Sequence, residues 1–141
     1  MSSNVNRTAL ITGASRGLGL ALTRQLAGLG WTLIIDARGK AALEAVYAEL
    51  SELTQVIAVS GNVTEKAHRH ALANAARAAG GLDVLVNNAS ILGPSPQPNL
   101  LDYPLDVLEE VYRTNVIAPL ALIQVLRSSL KAGAAILKRL S

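Results

Sequence analysis

Between residues 12 and 19 the chain reads Thr12-Gly13-Ala14-Ser15-Arg16-Gly17-Leu18-Gly19, directly after a short apolar run and at the start of a helical pattern. Each glycine meets a separate steric demand. Gly13 permits a sharp turn, Gly17 leaves no Cβ in the path of a diphosphate, and Gly19 lets helix and strand pack closely. Free N–H groups and the positive end of the helix dipole then face the anion. Gly13, Ser15, Arg16, Gly17, Leu18 and Gly19 are therefore the candidate contacts of a dinucleotide diphosphate. About 20 residues beyond such a turn, an acid binds ribose hydroxyls whereas a base accepts a 2′-phosphate. Asp36-Ala37-Arg38 offers both. Arg16 would be the second guanidinium on a 2′-phosphate, where bidentate, charge-assisted bonds give discrimination. Metal chemistry has little to work with: there is no cysteine, and the two histidines, His68 and His70, stand two apart and point to different helix faces. Both read as solvated or capping residues, and no metal site is expected.

The elements that must position this turn follow from periodicity. Short apolar runs at 8–11, 32–35, 55–59 and 84–86, each bounded by Gly, Asn, Asp or Ser, read as strands. Helical patterns at 18–29, 40–50 and 65–79 separate them. Alternation of this kind marks βαβ units and a parallel sheet covered on both faces. Residues 93–98, Gly-Pro-Ser-Pro-Gln-Pro, can form neither helix nor inner strand and read as a surface loop. A long helix over 105–131 and a fifth strand over 134–137 complete the pattern. On that helix Leu105, Leu108, Val111 and Tyr112 form an apolar stripe read as core, Glu109 and Arg113 form an i,i+4 ion pair, and Pro119 removes the donor for the carbonyl of Asn115. The right-handed crossover rule gives a doubly wound, Rossmann-like, three-layer α/β domain with strand order 3-2-1-4-5.

Composition narrows the function classes. The 141 residues are 50% hydrophobic and 16% charged, which excludes a disordered tail and leaves one core. Net charge is +3, and one tryptophan with three tyrosines is a poor stacking set, so a nucleic-acid reader is excluded. The longest apolar stretch, 116–126, is interrupted by Pro119 and Gln124 and is shorter than the ~20 residues that span a bilayer. A cytoplasmic protein is expected.

The glycine spacing, Asn87-Asn88-Ala89-Ser90 after the fourth strand, and Thr114-Asn115-Val116 in the long helix together resemble the short-chain dehydrogenase/reductase family, from the first strand to the last residue. Ser90 stands where the family usually has glycine. The resemblance implies an oxidoreductase moving hydride between a nicotinamide cofactor and a small carbonyl or alcohol, and a homo-oligomer built on the long helix. It places the acidic position of NAD users on Ala37 and the basic position of NADP users on Arg38, so NADP is the expected cofactor and NAD the alternative. Gly61-Asn62-Val63 resembles the family's Asp-Val pair beside the adenine, with Asn62 keeping a hydrogen bond but no charge; Asn88 lies beside the cofactor. Asn115 matches the asparagine that organises water, and Ser141, the last residue, the serine that holds the carbonyl.

The family also needs a tyrosine whose pKa is lowered by a lysine four residues later, because a free phenol with a pKa of ~10 is a poor acid–base group near neutrality. No Tyr-x-x-x-Lys occurs. Four residues beyond Tyr47, Tyr103 and Tyr112 stand Ser51, Val107 and Val116. The expectation is therefore an incomplete, carboxyl-truncated cofactor-binding domain over 1–141 that is inactive by itself; the alternative is a non-catalytic dinucleotide-binding or interaction module. Charges at Lys138 and Arg139 fit a fifth strand only if it is frayed or an edge, and the isolated chain should be marginally stable or prone to associate.

Overall fold

Every residue of β1 (Thr8–Ile11) and β2 (Thr32–Ala37) is buried, as parallel strands covered on both faces must be. The structure is a computed structural model and describes residues 6–139. With β3 (Val56–Ser60), β4 (Leu82–Asn87) and β5 (Leu130–Lys138), these strands form one parallel sheet in the order β3-β2-β1-β4-β5. Helices α1 (Gly17–Gly28), α2 (Lys40–Leu50) and α3 (Lys66–Ala78) make the first three crossovers. The fourth carries α4 (Leu105–Tyr112) and α5 (Ala118–Leu126). The expected strand order and Rossmann-like layering are both present.

Alternation along the strands sorts the core into two layers. Ala9, Ile11, Leu33, Ile35 and Ala37 pack with α1 and α2. Leu10, Ile34 and Leu85 pack with α3 and α5. Parity in β2 thus decides which layer a side chain enters, and Asp36, two residues after Ile34, faces α3. The expected strand 32–35 is too short by two residues, Asp36 and Ala37. The expectation of a solvated His68 is likewise overturned. His68 is only 8% exposed, because it lies on the face of α3 turned to β2 and meets Asp36 there; His70 is exposed.

The long helix over 105–131 is also corrected. Pro119 brings no N–H to the carbonyl four residues earlier, and the chain widens into a π-helical turn over Arg113–Ile117, where Ala118 N donates to Arg113 O. Helix ends at Leu126, a 3₁₀ turn follows, and β5 starts at Leu130 rather than at 134. Strand pairing overrides helical preference here: Leu130 pairs with Leu82, then the register shifts before Ala135 pairs with Val84. Gly133, at φ +79, lies in that irregular stretch. The stripe on α4 is not core, since α4 buries no residue and Leu105 and Tyr112 are exposed. Leu108 and Val111 of that stripe are half-buried, Val111 beside Gly93 in the loop after β4. Glu109 and Arg113 do not close an ion pair. Residues 93–98 form an irregular loop as expected, and β5 is an edge strand whose last residue, Lys138, is exposed, as is Arg139 after it.

Candidate functional site

Parallel register sets Ile11 beside Ile35 and Val86, so the residues that follow β1, β2 and β4 emerge together at the carboxyl edge of the sheet. This is the switch point at which open α/β sheets bind ligands. Thr12 ties two of these ends together. Its N–H donates to Val86 O at 3.1 Å, and its Oγ1 accepts from Asn88 N at 3.0 Å and Ala89 N at 2.9 Å. Asn88 returns the contact, its Nδ2 donating to Gly13 O at 2.9 Å. From the other side Ala14 N donates to Asp36 O at 2.9 Å, and Gly13 N donates to the Asp36 carboxylate, Oδ1, at 2.8 Å.

The glycines behave as their spacing predicts. Gly13 and Gly17 have φ of +64 and +59. A Cβ on Gly19 would collide with Gly13 O and stand 2.5 Å from Asn88 Nδ2, so helix and turn touch backbone to backbone. A Cβ on Gly17 would meet nothing within 4 Å. That open approach, at the amino end of α1, can receive an anion on the helix dipole. Ser15 is half-buried; Arg16 and Leu18 are exposed around it. Arg16 occupies the N-cap position in extended conformation and makes no side-chain cap.

At the end of β2 the two candidates separate. Asp36 is 1% exposed and both carboxylate oxygens are engaged, Oδ1 by Gly13 and Oδ2 by His68 Nε2 at 2.7 Å. It is no ribose ligand in this arrangement. Arg38 is exposed, and neither it nor Arg16 closes an ion pair among the described residues. Asn62 spends its Oδ1 on Thr64, accepting from N at 3.0 Å and from Oγ1 at 2.9 Å. Its Nδ2 is the group left for an adenine edge. Val63 is buried beside it.

Around the other rim, Asn115 makes a two-point contact with the loop after β4: Oδ1 accepts from Ile91 N at 2.8 Å and Nδ2 donates to Ile91 O at 2.7 Å. It positions that loop. Ser90 needs no glycine-like backbone, since no non-glycine residue among those described has positive φ. Asn88 Oδ1 is buried without a partner, and Asn88 lines a cavity of about 320 Å³ with Leu18, Leu22, Val86, Leu137 and Lys138. Partial desolvation, and then the neighbouring Arg139, push the Lys138 ammonium pKa down. Ser141 lies outside the described residues. No His, Asp and Glu cluster able to hold a metal occurs among the described residues. The sequence reading missed the Thr12 hydroxyl and the Asp36–His68 pair; a polar residue closing an otherwise apolar strand was the available signal for each.

Such a glycine turn at the switch point of a 3-2-1-4-5 sheet defines a Rossmann-like α/β domain. The profile described as short chain dehydrogenase matches residues 7–137, and the chain belongs to that family. It is 36% identical over 115 residues to 1-deoxy-11-beta-hydroxypentalenate dehydrogenase of Streptomyces exfoliatus, covering 77% of this chain and 40% of that enzyme. Among solved structures it is similar to a blue fluorescent protein from a metagenomic library in complex with NADPH, at 31% identity and a TM-score of 0.83, over 95% of this chain and 56% of the other. It is also similar to L-sorbose reductase from Gluconobacter frateurii complexed with NADPH and L-sorbose, at 26% identity and a TM-score of 0.84, over 93% and 51%. The chain spans about half the length of these structures and less than half that of the dehydrogenase.

Proposed function

We propose that this chain binds NADP(H), with NAD(H) as the weaker alternative, and is the cofactor-binding part of an oxidoreductase acting on a small carbonyl or alcohol. The observation that carries the cofactor reading is the withdrawal of Asp36 into the α3 layer, which leaves the exposed Arg38 and Arg16 with no competing carboxylate from β2. The NADPH complexes of two similar structures support it. Gly13, Ser15, Arg16, Gly17, Leu18 and Gly19 would hold the diphosphate, Arg38 the 2′-phosphate, Asn62 and Val63 the adenine, and Asn88 the turn beside the nicotinamide. When bound, the dinucleotide supplies the hydride. Asn115 braces the loop after β4, and by family resemblance it would order water while Ser141 would hold the carbonyl. No Tyr-x-x-x-Lys lies within these residues, which favours a second reading in which the chain binds the dinucleotide and turns nothing over.

Calorimetry with NADP⁺ and NAD⁺ on folded protein tests the first statement. NADP⁺ should bind more tightly, and Arg38→Ala should weaken NADP⁺ about tenfold, one charge-assisted contact, while leaving NAD⁺ within about twofold. Absence of binding by either dinucleotide refutes the reading; a preference for NAD⁺ overturns its cofactor assignment. NADPH consumption with simple ketones and aldehydes separates the two functions, turnover supporting the enzyme and binding without turnover the module. No described helix is long and apolar enough to cross a membrane; the cytoplasmic location is part of the proposal. The exposed apolar residues Leu100, Leu101, Leu105, Tyr112 and Ile117 support self-association, which light scattering reads directly.

A further inference from the structure

We infer that Asp36 and His68 form a strut that positions the phosphate-binding turn, acting on the diphosphate shared by both dinucleotides rather than on the adenosine 2′-position. The inference rests on the reading that this turn holds a dinucleotide. Three elements meet in the strut. Asp36 is the penultimate residue of β2, His68 stands in the first turn of α3, and Gly13 lies in the turn after β1. Gly13 N donates to Oδ1 at 2.8 Å, and His68 Nε2 donates to Oδ2 at 2.7 Å. Both side chains are nearly sealed, 2% exposed for Asp36 and 6% for His68. A buried carboxylate is tolerated only with donors on its oxygens, so the imidazole fixes the carboxylate and the carboxylate fixes the first N–H of the turn. Gly61 makes room: a Cβ there would collide with His68 Nδ1 and stand 2.9 Å from Cγ. The strut thus orients Gly13 without touching the ligand, which makes Asp36 and His68 positioning residues.

Two ligands separate this role from a loss of the whole site. NADP⁺ carries the diphosphate; adenosine 2′-monophosphate carries the adenosine and 2′-phosphate alone. His68→Leu should weaken NADP⁺ and NAD⁺ by the same factor, about tenfold for one lost bond to a charged group, with adenosine 2′-monophosphate within about twofold of the parent. His68→Gln, which can still donate to Asp36, should recover most of the affinity. Should His68→Leu not fold, His68→Asn, polar but too short to reach, takes its place. Equal weakening of adenosine 2′-monophosphate, an altered NADP⁺ to NAD⁺ ratio, or unchanged NADP⁺ affinity overturns the strut. Failure of the parent protein to bind either dinucleotide removes the underlying reading instead, and the inference with it.

Discussion

Replacing Thr12 by valine keeps the shape of a fully packed side chain and deletes one oxygen, so its effect isolates the hydrogen bonds that join β1 to the loop after β4. Thr12 is 1% exposed, and its Oγ1 accepts from Asn88 N and Ala89 N at 3.0 and 2.9 Å. Its own donation to Val86 O is long, at 3.4 Å, and adds little. Valine strands Ala89 N, whereas Asn88 N keeps its 3.0 Å contact with Val86 O. An orphaned buried donor costs about 1–3 kcal/mol; with Ala89 N stranded and Asn88 N reduced from two acceptors to one, the loss should be about 1.5–3 kcal/mol. Thr12→Ser keeps the oxygen and loses one buried methyl, for about 1 kcal/mol. Urea denaturation with an unchanged m-value measures both variants, and amide exchange at Asn88 and Ala89 locates the loss. A valine variant within about 0.5 kcal/mol of the parent, smaller than the cost of one orphaned N–H, would refute the reasoning, as would a serine variant that loses as much as valine.

Three other outcomes are expected. Gly19→Ala drives a Cβ into the backbone of Gly13, so it should destabilise the fold by about 1–3 kcal/mol of overpacking and weaken dinucleotide binding more than Gly28→Ala, whose Cβ meets nothing within 4 Å. Denaturation and calorimetry on the pair read this. At Asp83 burial raises the carboxyl pKa, but the hydrogen bond from Thr8 N, with Lys131 and Arg7, outweighs it and the net shift is downward. A depressed carboxyl pKa contributes stability that is present above its unfolded value and lost as pH falls through the folded value. Asp83→Asn should therefore lie below the parent in denaturant midpoint near neutrality, and the gap should close below about pH 4. Asn115→Ala removes both bonds to Ile91, and faster amide exchange at Ile91, with the sheet amides unchanged, is the expected signature.

How much of this was legible depended on how local each constraint is. The phosphate turn could be read because its glycines answer demands set within eight consecutive residues, and the strand order because buried runs and crossover handedness leave few alternatives. The start of β5 could not, since Leu130 becomes strand only through pairing with Leu82, across a bulge that no periodicity announces. Periodicity on α4 likewise shows that one face is apolar but not what covers it. Asp36 is the instructive case. From sequence it offered a ribose ligand two residues before the arginine, and only the parity of β2 decides otherwise: residue 36 turns to α3, and residue 37 to α1 and α2. Its partner lies 32 residues away, on a helix face whose depth the sequence did not reveal. Gly13 and Gly61 then acquire a shared purpose, because one presents its N–H to the carboxylate and the other clears space for the imidazole. A buried acid, a histidine and two glycines thus act as one unit, and substitution at any of the four should be felt at the turn.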